Sequence, residues 1–172
     1  MKRSHTRNLT ISAILAIISI ILTRFLPTTI PIAGVISIRL DFGYIPIIFA
    51  ALYLGGLYGA GAGVVADLIG AFVFPIGPYF PGFTLTNFLV GIVPVLIKKI
   101  LSKVSSELLI CFISSIFIQI IAFVLNTLWL ILLYSQSFAL IALPRALASI
   151  IMIPVLTFSS YYLIKLSKRL RL

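Results

Sequence analysis

Acidic side chains are almost missing from this sequence: three Asp and Glu stand against thirteen Lys and Arg in 172 residues. With Asp41, Asp67 and Glu107 as the whole supply, a paired-carboxylate reaction centre has little material. Cysteine occurs once, Cys111 in an apolar run, which excludes a disulfide framework or a cysteine metal site within one chain. The single histidine, His5, sits in the basic N-terminal stretch. No His-Glu-x-x-His is present and no histidine falls in an apolar segment, so metal-dependent and histidine-base chemistry are disfavoured and no metal site is expected. Gly-x-x-x-x-Gly-Lys-Ser/Thr is also absent, so the chain does not hydrolyse ATP through a P-loop.

What is abundant is apolar surface. Hydrophobic residues make up 62% of the chain and charged ones 9%. An apolar helix of about 20 residues crosses the hydrocarbon of a bilayer. The sequence therefore reads as an all-α, polytopic membrane protein, one transmembrane domain over 1–172 with no room for a soluble one. Six helices are expected, roughly 8–26, 44–56, 58–74, 83–101, 107–134 and 143–166. The region 44–74 is the short, Gly-rich part of that series. The basic start at Met1–Arg7 resembles a signal peptide, but no small-residue cleavage site follows, so it is kept as the first helix.

The formal charge of +10 is placed, not spread. Lys2, Arg3 and Arg7, Lys98, Lys99 and Lys103, and Lys165, Lys168, Arg169 and Arg171 form three clusters at the termini and one internal loop. This is the positive-inside pattern, and it reports orientation and contact with membrane lipid, not a nucleic-acid partner. Both termini are expected on the cytoplasmic side.

Polar residues that a bilayer should exclude then gather toward the opposite end: Arg24, Arg39, Asp41, Asp67, Tyr79, Asn126, Trp129 and Arg145. Asp67 is the most informative, because a carboxylate inside a spanning helix costs about 2.5–3.5 kcal/mol on insertion scales. Gly59, Gly63 and Asp67 recur every four residues and share a helix face, suited to tight packing or to leaving room for a ligand. Pro75, Pro78 and Pro81 break the chain between two helices in an aromatic turn, Phe74 to Thr86, that includes Tyr79, Phe80 and Phe83. Pro144 is expected in the first turn of the last helix, with Arg145 beside it, where helix dipole and guanidinium together would attract an anion. Ser12 and Ala16 form a small-xxx-small pair suited either to internal packing or to docking a partner.

Several stretches resemble the substrate-binding S components of energy-coupling factor (ECF) vitamin transporters, the folate-specific ones in particular. They are Phe42-Gly-Tyr-Ile-Pro46, Gly55-Gly-Leu-Tyr-Gly59, Ala66-Asp-Leu-Ile-Gly70, Phe74 through Leu85, Asn126-Thr-Leu-Trp-Leu130 and Leu143-Pro-Arg145. The resemblance implies a six-helix bundle with an outward-facing pocket in a prokaryotic plasma membrane, no catalysis and no cofactor. Folate or a reduced folate would be the bound substrate. The partner would be a module of one transmembrane T component and two ATPase subunits, against which the S component topples. Ser12-x-x-x-Ala16 departs from the Ala-x-x-x-Ala that many members use for docking. On this resemblance, Arg24, Arg39, Asp67, Tyr79, Phe80, Asn126, Trp129 and Arg145 are the expected ligand-binding residues, with Asp67 on the pterin, Tyr79, Phe80 or Trp129 stacking, and arginines on the glutamate. Alternatives are an S component for queuosine, riboflavin or thiamine, a small integral-membrane lipid-modifying enzyme, and a stand-alone channel or carrier.

Overall fold

The computed structural model describes residues 5–26, 28–32, 36–75, 77–102, 106–134 and 138–170, without the side chains of 28–32, 36–39 and 139–141. Lys2, Arg3, Lys103 and Arg171 of the basic clusters lie outside the described residues.

Among the described residues, apolar runs punctuated by Gly and Pro give six helices and a pair of antiparallel strands: α1 His5–Arg24, β1 Thr28–Ile32, β2 Ile36–Leu40, α2 Tyr44–Leu54, α3 Gly56–Val73, α4 Pro81–Ile100, α5 Glu107–Tyr134 and α6 Phe138–Arg169. Five of the helices are long and apolar enough to cross a membrane. The sixth, α2, has 11 residues, about 16 Å of helix and roughly half the hydrocarbon thickness. The missing depth is taken up by β1 and β2, which pair antiparallel with Thr29 opposite Arg39. β2 packs against α6, and Leu40 at its end is buried in the core beside Ile47 and Met152. Residues 28–32 and 36–40, in a stretch of alternating polarity, thus pair as two strands.

Small residues set how closely the helices approach. A Cβ on Gly91 would lie 2.2 Å from the Ala60 backbone nitrogen, and one on Gly63 would lie 2.4 Å from the Asn87 carbonyl oxygen, so α3 and α4 meet backbone to backbone. Ser12 donates a 2.8 Å hydrogen bond to the Tyr58 carbonyl and Ala16 is 1% exposed. The pair expected to dock a partner is therefore spent on seating α1 inside the bundle, and the exposed face of α1 carries Leu9, Ile14, Ile17 and Ile21 instead.

The two ends of the bundle differ. At one, Lys98 donates to the last-turn carbonyl of Leu52 in α2, Glu107 pairs with Lys168, and His5 Nδ1 meets the Tyr58 hydroxyl at 2.7 Å. Arg7, Lys99, Lys165 and Arg169 lie on the helix turns at the same end. Above it Ile48, Val90, Ile118 and Leu156 form a closed core, each fully buried. The other end is hollow.

One helix start differs from expectation. α6 begins at Phe138, so Pro144 and Arg145 lie about two turns inside it, not in its first turn. Proline there forfeits only one backbone bond, the one to residue 140, and the helix continues through it. The attraction of an anion to a helix N-terminus beside Arg145 is therefore withdrawn; what acts at that position is the guanidinium alone.

Candidate functional site

The hollow end holds a cavity of about 620 Å³, open on one side. It is walled by α1, α3, the first turns of α4, α5, α6 and the 77–80 turn, and reaches down to Gln119 and Met152, about midway along α5 and α6. Its size lies within the usual range for small-molecule sites, about 300–1,000 Å³.

Asp67 is built into the α3–α4 contact. Thr84 Oγ1 donates to its Oδ2 at 2.6 Å, and Asn87 Nδ2 donates to its Oδ1 at 3.2 Å. A hydroxyl has one proton and Thr84 gives its own to Asp67, so the 3.2 Å contact with the Tyr79 hydroxyl is Tyr79 donating. The aromatic turn is in this way latched to the acid. A carboxylate oxygen has two lone pairs, so the bonds from Thr84 and Asn87 do not by themselves use up either oxygen of Asp67. Spacing also places a cation nearby. A Cβ on Gly70, one turn from Asp67, would lie 3.0 Å from Arg24 Nε, so the absence of a side chain there lets the Arg24 guanidinium lie across α3.

Opposite, α5 and α6 contribute Asn126 and Arg145. Asn126 Nδ2 donates to the Tyr44 hydroxyl at 3.2 Å, which fixes the amide, while its buried Oδ1 has no partner among the described residues. Tyr79, Phe80, Phe83 and Phe123 supply flat apolar surface to the same cavity. Asp41 is at the α1 side, its Oδ1 accepting from the Gly43 N–H at 2.9 Å and from Thr23 Oγ1 at 3.1 Å.

Six of the eight expected ligand residues, Arg24, Asp67, Tyr79, Phe80, Asn126 and Arg145, thus line one cavity. Trp129 does not. It stands behind Phe80 with ring centroids 5.5 Å apart, lies against Gly82, and donates from Nε1 to Thr86 Oγ1 at 3.2 Å. It braces the wall rather than forming it. Arg39 belongs to β2, and its side chain lies outside the described residues. Sequence reasoning missed Asn87, Thr84 and Gln119. The first two follow Asp67 by 20 and 17 residues on the next helix, and only the Gly63–Asn87 contact brings them to it.

A family model described as the substrate-specific component of ECF transporters matches residues 7–164. The "Folate transporter FolT" of Clostridium novyi (strain NT) is 31% identical over 160 residues, covering 93% of this chain and 89% of that one. Among solved structures, a FolT crystal structure with folic acid bound superposes with a TM-score of 0.73 at 26% identity, over 93% of each chain. The S component of a bacterial ECF transporter gives 0.69 at 24% identity over 98% of this chain and 97% of that one, a likeness of fold. A multi-pass bundle closed at its basic end and hollow at the other, matched by that model along nearly all of its length, belongs to the family of substrate-specific components of ECF transporters.

Proposed function

We infer that this chain, a substrate-specific component, works as a transporter subunit and not as an enzyme. We propose that this one is the high-affinity folate-binding subunit of its transporter, that residues 1–172 act as one transmembrane substrate-binding domain, and that folate or a reduced folate occupies the cavity between Asp67 and Arg145. The observation that carries this is the chemistry gathered on one cavity wall: a carboxylate on α3 with Arg24 of α1 close by, aromatic rings at Tyr79, Phe80 and Phe83, and the Arg145 guanidinium on α6. Folate carries groups complementary to these. Its pterin offers adjacent N–H donors, which Asp67 accepts with its remaining lone pairs. Its flat rings lie against Phe80 and Tyr79. Its glutamate carboxylates meet Arg145, Arg24 or Arg39. Asn126 Oδ1 accepts a further donor, and Trp129 holds Phe80 in place. The similarity to a folate transporter and to a folic acid complex supports the choice of ligand.

The ligand is cargo and no cofactor is needed. Energy comes from the partner module of a T component and two ATPases. The basic end, with both termini, faces the cytoplasm of a prokaryotic cell and the cavity opens outward. The test is titration of the purified chain in detergent with folate, a reduced folate, riboflavin and thiamine, followed through Trp129, whose ring touches the cavity wall at Phe80. Saturable quenching by folates alone is expected; saturation by thiamine or riboflavin and none by folates would overturn the ligand.

A further inference from the structure

Away from the cavity, at the basic end, the outer surface has a second groove. It runs between the first turns of α5 and the second half of α6 and is lined by Ser106, Leu108, Leu109, Phe112, Pro154, Thr157 and Phe158. Its walls are almost wholly apolar. Thr157 returns its hydroxyl to the Ile153 carbonyl at 2.7 Å, so it offers the groove no free donor, and Ser106, whose Oγ accepts from the Leu109 N–H at 3.4 Å, lies at the first turn of α5. Phe158 is 64% exposed, and Leu108, Leu109 and Phe112 are exposed as well. This is membrane-facing surface with a depression in it.

The groove ends at a cationic edge. Lys165 lies about two turns, 10–12 Å, beyond Thr157 and Phe158 on the same face of α6, and Arg169 is one turn further. Lys165 leans back toward the groove, its Nζ 5.8 Å from the Tyr161 ring centroid. The charged groups described here are Lys165, Lys168, Arg169 and Glu107, and Glu107 is taken by Lys168. Lys165 and Arg169 are left on the exposed face. Apolar lining at hydrocarbon depth with cations at its headgroup end is complementary to one molecular shape.

We propose that this groove holds an acyl chain of an anionic phospholipid, whose phosphate sits on Lys165 and Arg169. The seat is independent of what the outer cavity binds. A zwitterionic lipid fills the apolar part equally well but gains less from the two cations, each worth about fivefold in partitioning near a charged surface. The lipid would thus ride with the subunit as a fixed part of its surface between α5 and α6.

Native mass spectrometry of the full chain, released from detergent holding equimolar phosphatidylglycerol and phosphatidylcholine, tests this. One phosphatidylglycerol adduct is expected, favoured over phosphatidylcholine by up to about 25-fold. Lys165→Ala with Arg169→Ala should abolish the preference while leaving weak adducts of either lipid. Leu109→Trp, which fills the groove, should lower adducts of both. Lys99→Ala, at the same end on α4, should change nothing. Equal retention of both lipids by the unaltered chain, or an equal loss of preference in Lys99→Ala, would overturn the proposal in favour of undirected charge attraction. So would crosslinks from Phe158 to another protein chain in the assembled transporter, since that partner would then fill the groove.

Discussion

The two halves of this bundle are made of the same helices and behave as opposites. At the basic end helix faces close on one another: Gly91 against Ala60, Gly59 against Ala51, and Ile48, Val90 and Leu156 at full burial. At the other end α3 and α4 stay joined through Asp67, Thr84 and Asn87, and Asn126 of α5 and Arg145 of α6 line a cavity instead of a core. The small residues of α3 explain both. Gly59 and Gly63 bring the backbones together, and Asp67, the next position on that face, receives Thr84 and Asn87 from a helix already held close. The packed half is what makes the hollow half rigid enough to select a ligand.

The sharpest way to break the contrast is to add volume to the packed half. Gly91→Val places carbon atoms where the Ala60 backbone lies, and a loss of about 3 kcal/mol or more is expected, seen as poor folded yield and early thermal unfolding in detergent. A variant that melts like the unaltered protein would show that α3 and α4 are not in contact there. Next in size is Asp67→Asn, which replaces an acceptor oxygen by a donor within a satisfied network. Folate affinity should fall by about 10- to 100-fold, the equivalent of about 1.4–3 kcal/mol, with a much smaller change in melting. Arg145→Ala should weaken folate by about tenfold and weaken a pteridine lacking the glutamate far less. Equal losses would assign Arg145 to the scaffold. The smallest effect belongs to the exposed Glu107–Lys168 pair: Glu107→Gln should cost less than about 1 kcal/mol and leave folate binding unchanged.

Much of this division can be read in the chain. The cations of the termini and of the 98–103 loop mark one end, and Asp67 among glycines marks the other as a place where polarity is worth its cost. α5 is bounded as its apolar run indicates, Glu107 to Tyr134. Four features resist reading because they depend on partners distant in sequence. Ser12 and Ala16 look identical whether a small face meets its own chain or another, and the Tyr58 carbonyl decides it. Trp129 carries a ring suited to stacking, yet Gly82 and Thr86 one helix away draw it behind Phe80. Pro144 marks a helix start by local preference, but six residues before it join α6, and tertiary packing overrides the preference. The strand pair is the fourth case: alternation at 36–40 signals extended chain, while the packing of β2 against α6 follows from the shortness of α2.

The central claim is that the cavity reads folate from two ends, the pterin at Asp67 and the glutamate at Arg145. Calorimetric titration of the two fragments, a pterin-6-carboxylate and p-aminobenzoylglutamate, into the unaltered protein, Asp67→Asn and Arg145→Ala tests it directly. The expected result is crossed: Asp67→Asn loses the pterin fragment and keeps the glutamate fragment, and Arg145→Ala does the reverse. If each variant weakens both fragments alike, or neither variant weakens either, the two-ended assignment is contradicted.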